Sequence, residues 1–339
     1  MKNVPEPNFA HLLALSGPLG TFEHANHAVA RVEHGYCTDD VARVLLVCVR
    51  EPHPSRAVSA LAASSLRFLS DAQSPTGQFR NRRSETGAWF GPIASDDCWG
   101  RALWALGSAV QLSGDEALVA SARVLFRRGA TARSRWPRSM AFATLGASAF
   151  LDVEPDNVLA RSLVRAAVRV LDRPEVSDEW RWSEDRLSYA NAILPEALMT
   201  AGSILDDERL IAKGLRQLRW LLAMETSRGH LSVVPDGGRG RDVHDRVFDQ
   251  QPIEVAAMSE ACLRAHDLTG DTSWLEGHQL AVQWFMGNND GNVTMFDATT
   301  GGGYDGLTAI GANVNQGAES TIALLTTLQH ARRFATALR

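Results

Sequence analysis

Apolar residues recur along this chain at helical spacing, and they do so in two ways. In "RAVSALAASSLRFL" Val58, Leu61, Ala62, Leu66 and Leu69 fall on one face, and in "LARSLVRAAVRVL" Leu159, Leu163, Ala166, Val170 and Leu171 do the same. In "RLIAKGLRQLRWLLA" Ile211, Leu215, Leu218 and Leu222 align, while Lys213, Arg216 and Arg219 take a wet outer side. Between these amphipathic helices lie others that are apolar or small nearly all round: "GRALWALGSAVQL", "MAFATLGASAFL", "PEALMTAGSIL", "IEVAAMSEACL" and "ESTIALLTTL". Helices without a polar face belong inside.

Each buried helix follows a polar, turn-forming segment: "HGYCTDD", "IASDDCW", "SRWPRS", "RLSYANAI", "VFDQQ" and "GANVNQG". The units repeat at intervals of roughly forty to sixty-five residues. Six such hairpins predict an all-α fold, an (α/α)6 barrel or toroid with buried helices inside and amphipathic ones outside, as one domain over residues 1–339. Strand signals are confined to "GHLSVVPDGG" and "GNVTMFDATTGGGYDG", which read as hairpins in rim loops.

Alternate helices of such a ring run in opposite directions, so all six inner helices start at one end and their preceding loops meet at one mouth. The first loop brings His34, Tyr36, Asp39 and Asp40, and the second brings Asp96 and Asp97 with Trp99 and Arg101 behind them. The third supplies Arg135, Trp136 and Arg138; the fourth, Trp182, Tyr189, Asn191 and Glu196. Gln250, Gln251 and Glu254 come from the fifth, Asn315, Gln316 and Glu319 from the sixth, and Asp305 from the glycine-rich rim turn. Carboxylates, amides and aromatics match the paired donors and acceptors of a polyhydroxylated ligand, and Trp89, Phe90, Trp99, Trp136, Trp180 and Trp182, in or near these loops, are candidates to stack on a sugar ring. Trp104, Trp220, Trp274 and Trp284 lie on helix faces and read as core.

Helix capping competes as an explanation of the acids. Thr38-Asp39-Asp40 and Ser95-Asp96-Asp97 have the look of a cap followed by first-turn acids, and Gln316 with Glu319 has capping-box spacing. Capping and a pocket floor are compatible, and the recurrence of acids beside Tyr36, Arg43, Trp99 and Arg101 favours the pocket.

Composition changes this picture little. Hydrophobic content of 45% over 339 residues supports a large core, and a net charge of -5 gives no basic footprint for a nucleic-acid partner. Cys37, Cys48, Cys98 and Cys262 lack metal or redox spacing and read as reduced thiols. The first twenty residues make a poor signal peptide and no long apolar run exists, so a cytoplasmic location with no membrane span is expected. There is no GxSxG, HExxH, Walker loop or GxGxxG, and His34, His230 and His244 lack metal spacing; no metal and no cofactor is expected.

"HGYCTDDVAR", "GRALWALG", "NAILPEAL", "FDQQPIE", "TGGGYDG" and "NQGAEST" together resemble a bacterial group of six-hairpin (α/α)6 proteins of carbohydrate metabolism. The resemblance runs from His34 to Leu324 and implies the toroid, a carbohydrate substrate and a functional association with a glycosyltransferase or glycosidase. The chain departs from that group at Val41, where an asparagine is usual, at Ala190 and Ile193, where an aspartate and an arginine are usual, and at Cys98-Trp99, where serine-histidine is expected.

The leading expectation is a glycoside hydrolase, inverting through two carboxylates about 6.5–9.5 Å apart. Glu254, behind Pro252-Ile253, would be the desolvated acid and Asp40 or Asp97 the base, with Glu196 and Glu319 as substitutes. Phosphorolysis would use Arg135 and Arg138 to hold phosphate. A sugar epimerase or isomerase would draw an acid/base pair from His34, His230 and His244. A terpenoid-type cyclase would share the Asp-Asp pairs but wants a more aromatic cavity. A glycan-binding domain without catalysis would fit the departures at Val41, Ala190 and Ile193.

Overall fold

The two helix types form two concentric rings. The computed structural model describes residues 4–243 and 248–337. Its inner helices are α2 (Thr38–Val49), α4 (Asp97–Leu112), α6 (Pro137–Leu151), α8 (Ile193–Leu205), α10 (Pro252–Thr269) and α12 (Ala318–Ala337). Each packs on the next, and α12 closes on α2. Outside them lie α3 (Arg56–Ala72), α5 (Glu116–Gly129), α7 (Val158–Leu171), α9 (Glu208–Met224) and α11 (Ser273–Phe285), each packed on the inner helix before it. A short α1 (Ala10–Ala14) touches α3 and α12 in the sixth outer position. This is the expected (α/α)6 toroid.

The rings differ in burial as the sequence requires. Every residue of α6 from Arg138 to Leu151 except Ser148 is buried, whereas α5 buries only Leu118, Ala122, Leu125, Phe126 and Gly129. Two outer helices are turned slightly from their expected faces. Helix α7 buries Ala160, Val164 and Ala167 rather than Leu159, Ala166 and Val170. In α9 Lys213 is buried and bonds Asp172 at 2.8 Å, while Ile211 and Leu215 are half-buried. An aliphatic lysine stem packs inward when its ammonium finds an ion-pair partner. Inner helices α4 and α6 touch through glycine: a Cβ on Gly107 would stand 2.0 Å from the Gly146 carbonyl oxygen, and one on Gly100 would stand 2.3 Å from that of Ser139.

Rim hairpins occur, but displaced from the expected stretches: Thr226–Ser227 pairs with His230–Leu231 at the edge of the first, and Gly306–Thr308 pairs with Gly311–Asn313 at and past the end of the second, within which Phe296 and Gly303 form a single bridge. A three-stranded antiparallel sheet of Tyr36–Cys37, Phe79–Arg83 and Trp89–Ala94 was not expected. Its centre, "FRNRR", carries no apolar alternation to reveal it. All four cysteines are unbridged, and no described helix is long and apolar enough to cross a membrane.

The rings also start differently. Four outer helices carry side-chain caps, α11 being the exception: Ser55 accepts from the Val58 amide, Asp115 from Ala117 and Leu118, Asn157 from Ala160, and Asp207 from Arg209 and Leu210. Helices α2, α4, α6, α8 and α10 have no such cap. Thr38, the expected cap of α2, donates its hydroxyl to the Arg80 carbonyl instead, at 2.7 Å. The acids of the inner ring are therefore free for other partners.

Candidate active site

Those partners lie in a cavity of about 560 Å³ where the inner helices begin. Helix α2 contributes Asp39, Asp40 and Arg43; α4, Asp97 and Arg101; α10 and its lead-in, Gln251 to Ile253; and α12, Glu319 and Ser320. Tyr189 enters from the loop before α8, and Asp305 from the rim hairpin. A groove of about 480 Å³ continues from it, sharing Asp39, Arg82, Asp97 and Tyr189 and adding Phe90, Asp96, Trp136 and Arg138. The starts of α2, α4, α10 and α12 thus meet at the cavity with their positive dipole ends, the start of α6 lines the groove, and α8 contributes through the loop before it.

At the centre, the Arg43 guanidinium joins two carboxylates. It donates to Asp40 and, at 2.8 Å, to Glu319. The two acids sit in different surroundings: the Asp40 side chain is 4% exposed and that of Glu319 is 42% exposed, facing the open cavity. Burial outweighs Arg43 at Asp40 and pushes its pKa up to about 7. At Glu319 the balance reverses; burial acts upward, but Arg43 and then Arg101 hold the carboxyl below its usual range. Asp39 is raised by burial against Arg101 and Arg43, and stands 3.5 Å from Arg101. Arg101 in turn lies 4.1 Å from the Phe142 ring centre.

Asp97 is held on one wall. Ser139 donates to one oxygen at 2.7 Å and the Tyr189 hydroxyl to the other at 2.6 Å. Tyr189 is placed by buried Arg138, which bonds its carbonyl, forks onto Glu184 at 3.0 Å twice, and reaches Asn191 at 3.1 Å. Arg138 is therefore committed to positioning, not open to a phosphate, while Arg135 stacks on Trp136 at 4.4 Å. Trp136 is 47% exposed and donates to Asp96 at 3.1 Å. With Phe90 it forms an aromatic floor to the groove.

Several expected residues sit elsewhere. Glu254 does not line the cavity: its carboxylate accepts from the Ala190 amide, the Asn191 amide at 3.1 Å and the Asn191 side chain at 3.0 Å. Burial raises its pKa as anticipated, with the Asn191 and Ala190 donors acting against it, but the group locks the turn before α8. Asn191 is buried in the same lock. Glu196 is buried and borders a different cavity. Trp99 is fully buried on α4, bonding the Gly129 carbonyl at 3.0 Å, and Trp182 is buried against Trp220; Trp180 joins that cluster. These three are core, because large aromatics beside loops fold under them as readily as over them.

Tyr36 is buried and stacks on Phe22 at 4.6 Å. Gln250 is buried behind the cavity, pairing its backbone with Leu307 and its side chain with Asp290. Asn315 accepts from the His27 amide, and buried Gln316 accepts from the Thr300 hydroxyl. His34 is exposed at the rim, 3.0 Å from His24, which does line the cavity. His230 pairs with Asp290 away from it. His244 lies outside the described residues.

Glu23, His24, Arg43, Arg82, Asp236 and Asp249 line the cavity without having been singled out as ligand contacts. Glu23 and His24 precede the first recognisable unit, and no periodic signal marks them. Arg43 could have been found as the basic residue one turn after Asp39-Asp40. Glu23, Cys37 and Asp40 place ligand atoms within 4.8 Å of one another, as a metal would need. Their chemistry does not suit one: burial and then Asp39 push the Cys37 thiol well up, and Glu23 is paired with Arg82.

No protein-family model matches the chain, and no curated protein matches it in sequence. Solved structures do share its fold. A sugar epimerase from a ruminal bacterium is 13% identical with a TM-score of 0.72, covering 95% of each chain. Cellobiose 2-epimerase from Spirochaeta thermophila DSM 6192 is 15% identical with a TM-score of 0.65, covering 97% of this chain and 94% of its own. The cellulase Cel9M of C. cellulolyticum is 12% identical with a TM-score of 0.61, covering 93% and 87%. At such identities the likeness establishes the six-hairpin toroid.

Proposed function

We propose that this protein is a carbohydrate-active enzyme that epimerises a reducing sugar by proton transfer next to its carbonyl. One observation carries the reading: a single guanidinium, Arg43, touches both an open, ionised carboxylate, Glu319, and a buried one with pKa about 7, Asp40. Two acids whose surroundings push them apart make an acid/base pair. The expected role of Asp40 as base is thereby exchanged for that of proton donor, and Glu319 replaces Glu254 in the pair.

The steps balance. The open-chain aldose places its C2–H toward Glu319, whose carboxylate takes the proton. The electron pair forms the C1–C2 double bond, and the carbonyl electrons move to O1, giving an enediolate. Arg43 and the inner-helix N-termini stabilise that negative oxygen. The charge returns to C2 as Asp40 delivers its proton to the opposite face, and exchange with water resets both carboxyls. The full-length likeness to sugar epimerases supports the reading. The Phe90–Trp136 groove gives room for a second sugar unit beyond the reacting one.

A second reading is inverting hydrolysis, which would use the same split pair. It is favoured by carboxylates rather than histidines at the centre of the cavity, and by the cellulase likeness. The test is incubation with reducing mono- and disaccharides, with products separated by chromatography and weighed. An isomer of unchanged mass supports epimerisation. Fragments whose summed mass exceeds the substrate by one water support hydrolysis and overturn the first reading.

A further inference from the structure

A proton donor that is buried must be refilled after every turnover. The Asp40 side chain is 4% exposed, and the little that shows borders the cavity that a bound sugar occupies. Glu319, 42% exposed, exchanges with solvent directly. Asp40 therefore needs a route by which a proton returns, built from groups a hydrogen bond or one water apart.

Such a route leaves Asp40 on the side of Glu23. Carboxylate oxygens of the two residues lie within 4.8 Å of each other, a gap that one bridging water spans. Glu23 Oε2 stands 3.8 Å from His24 Nδ1, and His24 Nδ1 faces His34 Nδ1 at a hydrogen-bonded 3.0 Å. The two imidazoles meet edge to face, and His34 is exposed at the rim. The series runs from a buried carboxyl to bulk water with no gap wider than one water molecule.

The backbone holds the series in order. The Glu23 amide donates to the Gly35 carbonyl at 3.3 Å, the Arg31 amide to the His24 carbonyl at 2.8 Å, and the His34 amide to the Arg31 carbonyl at 3.0 Å. Gly35 has a φ of +69°, and a Cβ there would stand 2.4 Å from the Arg83 carbonyl oxygen, so the turn after His34 requires glycine. Arg82 fixes the Glu23 carboxylate from the sheet side. The Cys37 thiol shares the cluster, but burial and then Asp39 push it well up, so it keeps its proton and does not divert another.

We infer, building on the epimerase reading, that Glu23, His24 and His34 form a proton relay that reloads Asp40 from solvent. At the rim, His34 takes a proton from water on Nε2 while the one on Nδ1 passes to His24 Nδ1. His24, now an imidazolium, gives that proton to Glu23, and Glu23 gives one to the Asp40 carboxylate. His24 and Glu23 end as they began, and His34 recovers its tautomer by exchange with water. The proton that Glu319 releases to solvent balances the one taken up.

Steady-state epimerisation by the full chain near neutral pH provides the test, with glucose, mannose, cellobiose and lactose as substrates. His24→Ala and His34→Ala are each expected to lower kcat about tenfold or more with KM unchanged. Added imidazole is expected to restore kcat saturably in His24→Ala, a rescue that loss of a merely structural histidine would not show. Glu23→Gln is expected to lose kcat without rescue, because its amide breaks the series between His24 and Asp40. Thermal melting like that of the parent shows that each variant is folded; both histidines are exposed. Unchanged kcat in both histidine variants overturns the relay and leaves the epimerase reading standing. So does a loss in folded His24→Ala that imidazole leaves in place, or rescue of Glu23→Gln. A parent that isomerises none of the four sugars overturns both.

Discussion

Asp40 and Glu319 differ in solvent access far more than in chemistry, and in the proposed reaction that difference divides their roles. Asp40 must hold its proton to donate it, so turnover is expected to fall as pH rises through about 7. Asp40→Asn is expected to lower kcat by about 10²–10⁴ and to remove that pH limb, which a pH–rate profile of both proteins reads. The same burial has a cost in stability. The folded protein favours protonated Asp40 and Glu196, with pKa about 7 and about 8, whereas the unfolded chain releases those protons near 3.8 and 4.5. Stability therefore declines as pH climbs from the ordinary carboxylate range to about 8, and levels beyond. Glu260, held to about 2 against its burial by Arg50 and His330, loses its contribution in the opposite direction, as pH falls below 4.5. Urea denaturation at pH 5 and pH 9 is expected to show Glu196→Gln losing less stability across that interval than the parent; an equal loss would contradict the assignment. Much of this site was legible: Asp39, Asp40, Asp97, Arg101, Tyr189, Gln251, Asp305 and Glu319 all reach the mouth. Glu254 was misplaced because sequence order locates a residue at a helix start but not the direction its side chain takes within the first turn.

At the scale of elements, side-chain caps on α3, α5, α7 and α9 and their lack on α2, α4, α6, α8 and α10 separate structural acids from available ones. Asp207→Ala is expected to cost about 1 kcal/mol through its lost cap, with no effect on ligand binding at the mouth. The crossing of α4 and α6 is less forgiving. Gly107→Ala would drive a methyl group into the Gly146 backbone, and a loss of about 1–3 kcal/mol is expected in chemical denaturation. Helix type was readable because burial on all sides and burial on one side leave different periodicities. The exact faces of α7 and α9 were not, since a ring neighbour on each side broadens the buried arc and a paired lysine can enter it. The sheet around Phe79–Arg83 escaped notice because its strand alternates around arginines whose partners, such as Glu23, are far away in sequence.

For the whole molecule, closing six hairpins into a ring gathers the inner starts at one end, around the mouth and the aromatic groove leading out of it. If the groove holds a second sugar, Trp136→Ala is expected to raise KM for a disaccharide several-fold and to leave a monosaccharide's KM unchanged. Steady-state kinetics on both substrates decides this, and equal effects would place Trp136 outside the substrate path. The most direct test of the central claim is reaction in D2O followed by NMR of the sugar. Proton transfer by Glu319 and Asp40 predicts deuterium at C2 of the epimerised product, lost in both Glu319→Gln and Asp40→Asn. A product carrying protium alone at C2, or deuterated epimer that still forms in those variants, would contradict it.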